Sequence, residues 1–136
     1  MQMTYKGFLI ESKYLGNKNW DMCGCDVSNR NNHKVTVKNL KTGKWTWFEF
    51  WQSNAIKDIT TESQLIEAFW CFLWDAQAGM QSYADFCDEF GWDRHDKHTR
   101  TIYNKVKVAR NKAERIFEDM DEVITMGNEI QEEYNL

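Results

Sequence analysis

The sequence predicts an α+β protein: an antiparallel β-meander of three to four strands, followed by three to four helices packed on one of its faces. Three observations carry that expectation. Residues 34–40 alternate, with Val35 and Val37 to one side and Thr36 and Lys38 to the other, the period of a half-buried strand. Lys41-Thr42-Gly43-Lys44 then supplies a tight turn before a second β-rich run, residues 45–51. Beyond residue 60 the apolar spacing changes to threes and fours, announced by the capping box Thr61-Glu62-Ser63-Gln64.

The elements follow in order. Residues 5–14 read as a first strand, with Phe8 and Ile10 alternating with polar neighbours, and Leu15-Gly16-Asn17 reads as a turn. Residues 17–32 are rich in Asn, Asp and Gly and read as a polar excursion, with Trp20, Met22 and Val27 as its anchors. In the return strand Thr46, Phe48 and Phe50 point one way, and Trp45, Trp47, Glu49 and Trp51 the other. Both of its faces are apolar. Either the chain covers both, or one aromatic face meets a partner.

The capping box opens a central helix over residues 61–78, ended by Gly79. Leu65, Ile66, Phe69, Phe72, Leu73 and Ala76 form its stripe, widened by Trp70 and Trp74. This stripe is expected on Phe8, Ile10, Val35, Val37, Phe48 and Phe50. Ser82 is a good N-cap for a short helix to Phe90, with Tyr83, Phe86, Cys87 and Phe90 inward and Gly91 as C-cap. Asp96 caps a third helix to about residue 117, its inner face being Ile102, Val106, Ala109, Ala113 and Ile116. A last short helix is expected from Asp119 to about Met126, and residues 127–136 as a frayed acidic tail. One domain results: a meander over 1–53, helices over 60–126, and the tail.

A chain of 136 residues fits one domain, and one of that size buries roughly two-thirds of its unfolded surface without a disulfide or metal staple. Aromatics reach 15%, with seven tryptophans and no proline. Such an excess implies an aromatic core or an aromatic contact surface, because tryptophan is enriched at interface hot spots. The net charge of −4 argues against a general nucleic-acid coat. The start of the chain lacks a secretory pattern, and no apolar run approaches the ~18 residues of a membrane span. A cytoplasmic protein with reduced thiols and no membrane partner is expected; Cys71 and Cys87, set in apolar helical patterns, read as buried small hydrophobes.

Charge is segregated. From Arg94 to Arg115 eight basic residues face only Asp96 and Glu114. Acids gather twice: Asp85, Asp88, Glu89 and Asp93 around the short helix, then Glu118, Asp119, Asp121 and Glu122 at the head of a run to Glu133 that has no Lys or Arg. Three readings compete: solvated helix faces; phosphate contacts by Lys97, Arg100, Lys107 and Arg110; or acids seated in a basic groove of a partner. The last fits the overall negative charge better than the second.

Enzyme and metal chemistry have little to stand on. Cys23-Gly-Cys25 could join His95 and His98, or His33, around zinc, but Cys-x-Cys is not the usual knuckle and an i, i+3 histidine pair is not the usual helical pair. No signature surrounds a nucleophile, and no Gly-rich phosphate loop follows a strand. No catalytic residue and no cofactor is implied.

The second half carries a pattern: Trp74-Asp75-Ala76, Ser82, Asp85-Phe86-Cys87, Glu89-Phe90-Gly91-Trp92-Asp93, Lys97, and Ile102-Tyr103. The first half adds Tyr5-Lys6, Val35-Thr36-Val37 and Phe48-Glu49-Phe50. Together these resemble a family of small phage and prophage accessory proteins, from about Tyr5 to Phe117. The chain departs from that pattern at His95-Asp96, where the family has Asp-Ser, and in the Cys23-Gly-Cys25 excursion. Most members have no assigned function. The resemblance implies a phage setting, in which accessory proteins often disable host defences. Anti-CRISPR proteins, which commonly occlude a nucleic-acid groove of the effector complex, are a well-populated class among them. The expected partner is therefore a host protein or ribonucleoprotein complex such as a CRISPR effector, met by the acidic groups and by Trp45, Trp47 and Trp51. The alternatives are a nucleic-acid binder using the basic helix, or a dimerising module using those indoles; the chain would act as a monomer or a homodimer.

Overall fold

In the computed structural model, which describes residues 1–20 and 28–136, the chain opens with a hairpin instead of a single strand. β1 (Gln2–Tyr5) pairs antiparallel with β2 (Phe8–Trp20). The turn between them, Lys6-Gly7, has φ of 43° and 86°, the two positive values a type I′ turn requires. A lysine in that position gives no compositional signal, so the alternation through residues 5–14 runs across the turn.

Leu15-Gly16-Asn17 is not a turn either. β2 continues to Trp20 and pairs with β3 (Ser28–Asn39), with a register shift between Tyr14 and Gly16. Gly16, at φ 108°, takes the backbone conformation this irregularity needs. Most of the expected polar excursion is therefore strand. Asn31 is bonded across the sheet: Tyr14 Oη and Asn17 Nδ2 both donate to its Oδ1, at 2.9 and 3.1 Å. The expected anchors Met22 and Val27 lie outside the described residues.

β4 (Trp45–Gln52) completes a four-stranded antiparallel sheet in the order β1-β2-β3-β4. Its two faces separate as the alternation predicts: Thr46 and Phe48 are buried, whereas Trp45, Trp47 and Glu49 are exposed. α1 (Glu62–Ala78) starts on the capping box, with Gln64 N–H donating to Thr61 Oγ1 at 3.2 Å and Thr61 N–H to Gln64 Oε1 at 3.1 Å. Its stripe meets the sheet as expected. Phe72 stacks on Phe48 at 4.4 Å and Phe69 packs on Phe8 at 5.8 Å. Leu65, Ile66 and Phe69 are fully enclosed.

α2 (Tyr83–Phe90) and α3 (Lys97–Ile116) carry the expected caps: Ser82, Gly91 at φ 70°, and Asp96. A small second core joins Phe86, Cys87, Tyr103 and Val106. Phe90, expected inside, is 49% exposed. It is the last residue of an eight-residue helix, and its ring rests on Phe86 at 5.1 Å with the other side open.

The largest correction is at the C-terminus. α4 (Met120–Glu133) runs through most of the expected tail. Val123 and Ile130 are enclosed in the main core, and Tyr134 packs against it. Tyr5 Oη donates to Glu133 Oε2 at 2.7 Å, and Lys6 Nζ pairs with Glu129 and Glu133 at 2.8 and 2.7 Å. The two ends of the chain are thus fastened together. The bonds from Lys6 and Tyr5 hold the Glu133 carboxyl below its ordinary range. That contribution is present at neutral pH and is lost on acidification. Among the described residues, no helix is long and apolar enough to cross a membrane.

Candidate interaction surfaces

None of the seven indoles is fully buried. Trp45 and Trp47 on β4 are 55% and 37% exposed, and Trp51 is half-buried. Trp47 lies between two cations, Lys112 Nζ at 4.0 Å from its ring and Lys34 Nζ at 5.1 Å. Loss of solvent, and then the nearby Arg115 charge, lower the Lys112 pKa. Trp20 carries the Arg30 guanidinium at 4.3 Å.

Each member of the first acidic group has a local bond. Asp85, in the first turn of α2, has its N–H bonded to Ser82 Oγ, so its carboxylate faces the helix's positive end. Asp88 pairs with Arg94 at 3.2 Å, Glu89 accepts from Gln81, and Asp93 accepts the His95 N–H at 2.9 Å. Between these acids stand Phe90 and Trp92, the latter 43% exposed. Trp74, Met80 and Ile124 join Phe90 around a depression of about 230 Å³. Of the four acids, Glu89 lines this depression beside Phe90.

The second acidic group has a local explanation. Asp119 is the N-cap of α4 and accepts the Glu122 N–H at 3.0 Å, while Asp121 and Glu122 lie in the first turn. Acids there are stabilised by the helix dipole, and Glu118 adjoins them in sequence.

The basic face of α3 is partly engaged by its own chain. Arg100 stacks on Tyr83 at 3.7 Å, Lys107 lies over Tyr103 at 5.9 Å, and Arg110 pairs with Glu114 at 3.0 Å. Lys97 is exposed. Of the possible metal ligands, Cys23 and Cys25 lie outside the described residues, and His95 and His98 flank the Asp96 cap. Among the described residues, no cluster of three or more metal-ligating side chains occurs.

Two features escaped the sequence reading. The first is a buried polar cluster. Asn31, Asn32, His33 and Gln52 are all buried where the sheet meets the β4–α1 connection. His33 Nε2 lies 3.4 Å from Asp58 Oδ1, and Asn31 Nδ2 donates to the Ser53 and Ile56 carbonyls. Asn31 thus fastens the connection, whereas Asn32 Oδ1, both ring nitrogens of His33 and Gln52 Oε1 are buried without a hydrogen-bond partner among the described residues. The second is a groove of about 370 Å³ between β4, α1 and α3, also lined by Trp20 of β2, with Cys71 and Asp75 on its α1 side. Cys71 is half-buried and not, as expected, wholly inside.

Asp75 keeps contact with water, yet its apolar surroundings push the carboxyl up to about 6. A pKa raised in the folded state favours folding while the group is protonated, and that advantage disappears as pH rises from about 3.9 through 6. Asp75→Asn is therefore expected to raise Tm at pH 7.5, with the gain vanishing below pH ~4. A pH series of melting curves checks this; an equal shift at all pH values would contradict it.

No protein-family model, curated protein or solved structure matches this chain.

Proposed function

We propose that the chain is a non-catalytic, phage-encoded inhibitor of the anti-CRISPR kind. In the host cytoplasm it binds a defence ribonucleoprotein and blocks a basic nucleic-acid groove. The observation that carries this reading is the exposure of Phe90 and Trp92 among Asp85, Asp88, Glu89 and Asp93. Carboxylates in a groove built for phosphates supply steering and register. Exposed aromatics supply the desolvated centre at which most binding energy concentrates. The resemblance to phage accessory proteins suggests the setting. The basic helix favours direct nucleic-acid binding less, because the chain carries a net charge of −4.

The test is competition with target DNA on a purified CRISPR effector complex. The wild-type chain is expected to displace DNA stoichiometrically, more weakly at high salt. Changing the four acids to Lys abolishes displacement. Phe90→Ser with Trp92→Ser weakens it about thirtyfold or more, the effect of losing a hot spot. Displacement that survives both variants, each still folded, would refute the assignment of this surface.

A further inference from the structure

The helices cover one face of the sheet. Phe8, Ile10, Val35, Val37, Thr46 and Phe48 are buried beneath them, so the residues between these turn to the other face. Strand pairing sets those outward residues in rows. Lys38 stands between Leu9 and Trp45, Thr36 between Glu11 and Trp47, and Lys34 between Lys13 and Glu49. Two side chains of α3 reach the same surface. Lys112 Nζ lies 4.0 Å from the Trp47 ring, and Arg115 lines a depression with Lys44 and Trp45.

This face is basic although the chain is not. Lys13, Lys34, Lys38, Lys44, Lys112 and Arg115 belong to it, and the acids of the four strands are Glu11 and Glu49. Among the described residues none of these cations makes an ion pair. Lys13 and Lys34 are directly opposed, a pairing that costs stability. The acids of α2 and of the first turn of α4 supply much of the opposite charge. Charges more than about 8 Å apart are largely screened at physiological salt, so a ligand on the sheet meets the local cations first.

The indoles complete the surface. Trp45, at 55%, is the most exposed large apolar side chain among the described residues, and Trp47 stands two residues on along the same face. Aromatic rings set among cations are the two parts of a single-strand platform: bases stack on the rings and phosphates meet the charges. A duplex keeps its bases stacked on one another, and its major groove admits a helix or a two-stranded ribbon, not a four-stranded face. An acidic peptide uses the cations and leaves the ring of Trp45 without a stacking partner.

We propose that the open sheet face binds a single-stranded nucleic acid, with a base stacked on Trp45 and the backbone held by Lys34, Lys38, Lys112 and Arg115. Phosphate contacts alone work against the net charge of −4, and stacking supplies the affinity they lack. The surface is separate from the acids of α2, and either can fail without the other.

The experiment titrates the isolated full-length chain with an oligothymidylate of about twelve nucleotides, within the span of an ordinary single-strand site, and follows tryptophan fluorescence at low salt. Saturable quenching is expected, with affinity falling as salt rises along a log–log slope of about −2 or steeper. Trp45→Ala weakens binding at least about fivefold and leaves that slope unchanged. Lys38→Gln with Lys112→Gln flattens the slope by about 1. Lys107→Gln, on the part of α3 over Tyr103, leaves the slope as it was. An abasic strand of the same length, a comparison that needs no variant, binds at least about tenfold more weakly, as does the duplex. The proposal is overturned by absence of binding at low salt, by equal affinity for the abasic strand or the duplex, or by full affinity in folded Trp45→Ala.

Discussion

A chain ending at Met126 is expected to be largely unfolded at temperatures where the full chain is folded. The deletion removes Ile130, which is completely enclosed, together with Tyr134 and both acids that hold Lys6. The remaining residues of α4 are too few to form a stable helix, so Val123 leaves the core as well. Losing a single enclosed aliphatic side chain costs about 2–5 kcal/mol. Two such losses come to about 5 kcal/mol or more, comparable to the whole stability of many domains. Ile130→Ala alone should cost about 3 kcal/mol. Urea denaturation of the three chains checks the series. A truncated chain with an unchanged midpoint would mean that residues 127–136 are the frayed tail their composition suggests.

Gly79→Ala is expected to destabilise the fold by about 3 kcal/mol, although glycine-to-alanine changes usually favour a helix. At Gly79 φ is −71°, an ordinary right-handed value, so glycine is not needed there for backbone conformation. It is needed because α1 and α3 meet backbone to backbone. A Cβ built on Gly79 would lie 2.2 Å from the Val106 carbonyl oxygen and 3.0 Å from Arg110 Cβ. A backbone oxygen cannot swing aside, so the helices must separate. Gly127 provides the contrast. It lies inside α4, and an added Cβ would be 3.8 Å from Leu73 Cβ, an ordinary contact. Gly127→Ala should therefore stabilise by up to about 1 kcal/mol through helix propensity. Thermal melts of the two variants should move in opposite directions; a shift of the same sign would contradict the packing argument.

The elements best marked in the sequence were those whose signals are local. The capping box of α1, Ser82 and Gly91 around α2, and the Asp96 cap lie where their chemistry indicates. The alternation of β4 separated Thr46 and Phe48 from Trp45 and Trp47. Signals failed where a distant segment decides. Gly79 does stop a helix, but its contact with Val106 belongs to another helix. The acids of residues 127–136 look like a solvated tail until Lys6 and Tyr5 are brought against Glu129 and Glu133. The asparagines around residue 31 look like a loop until β2 and β3 pair and Tyr14 and Asn17 are brought against Asn31. The α2 acids were legible as a group. That Phe90 and Trp92 stand exposed among them was not, since Phe90 falls on the apolar side of the helical wheel. The groove beside β4 was invisible, because its walls come from β2, β4, α1 and α3, elements far apart in the sequence.

Binding to another macromolecule is the proposition on which this account of the protein rests, and a paired pull-down from host lysate addresses it most directly. Wild-type chain and the variant with Asp85, Asp88, Glu89 and Asp93 changed to Lys are immobilised side by side, and the retained proteins are read by mass spectrometry. The account predicts a nucleic-acid-handling complex on the wild type and its loss from the folded variant. Identical protein sets on the two chains, or none on either, would contradict it.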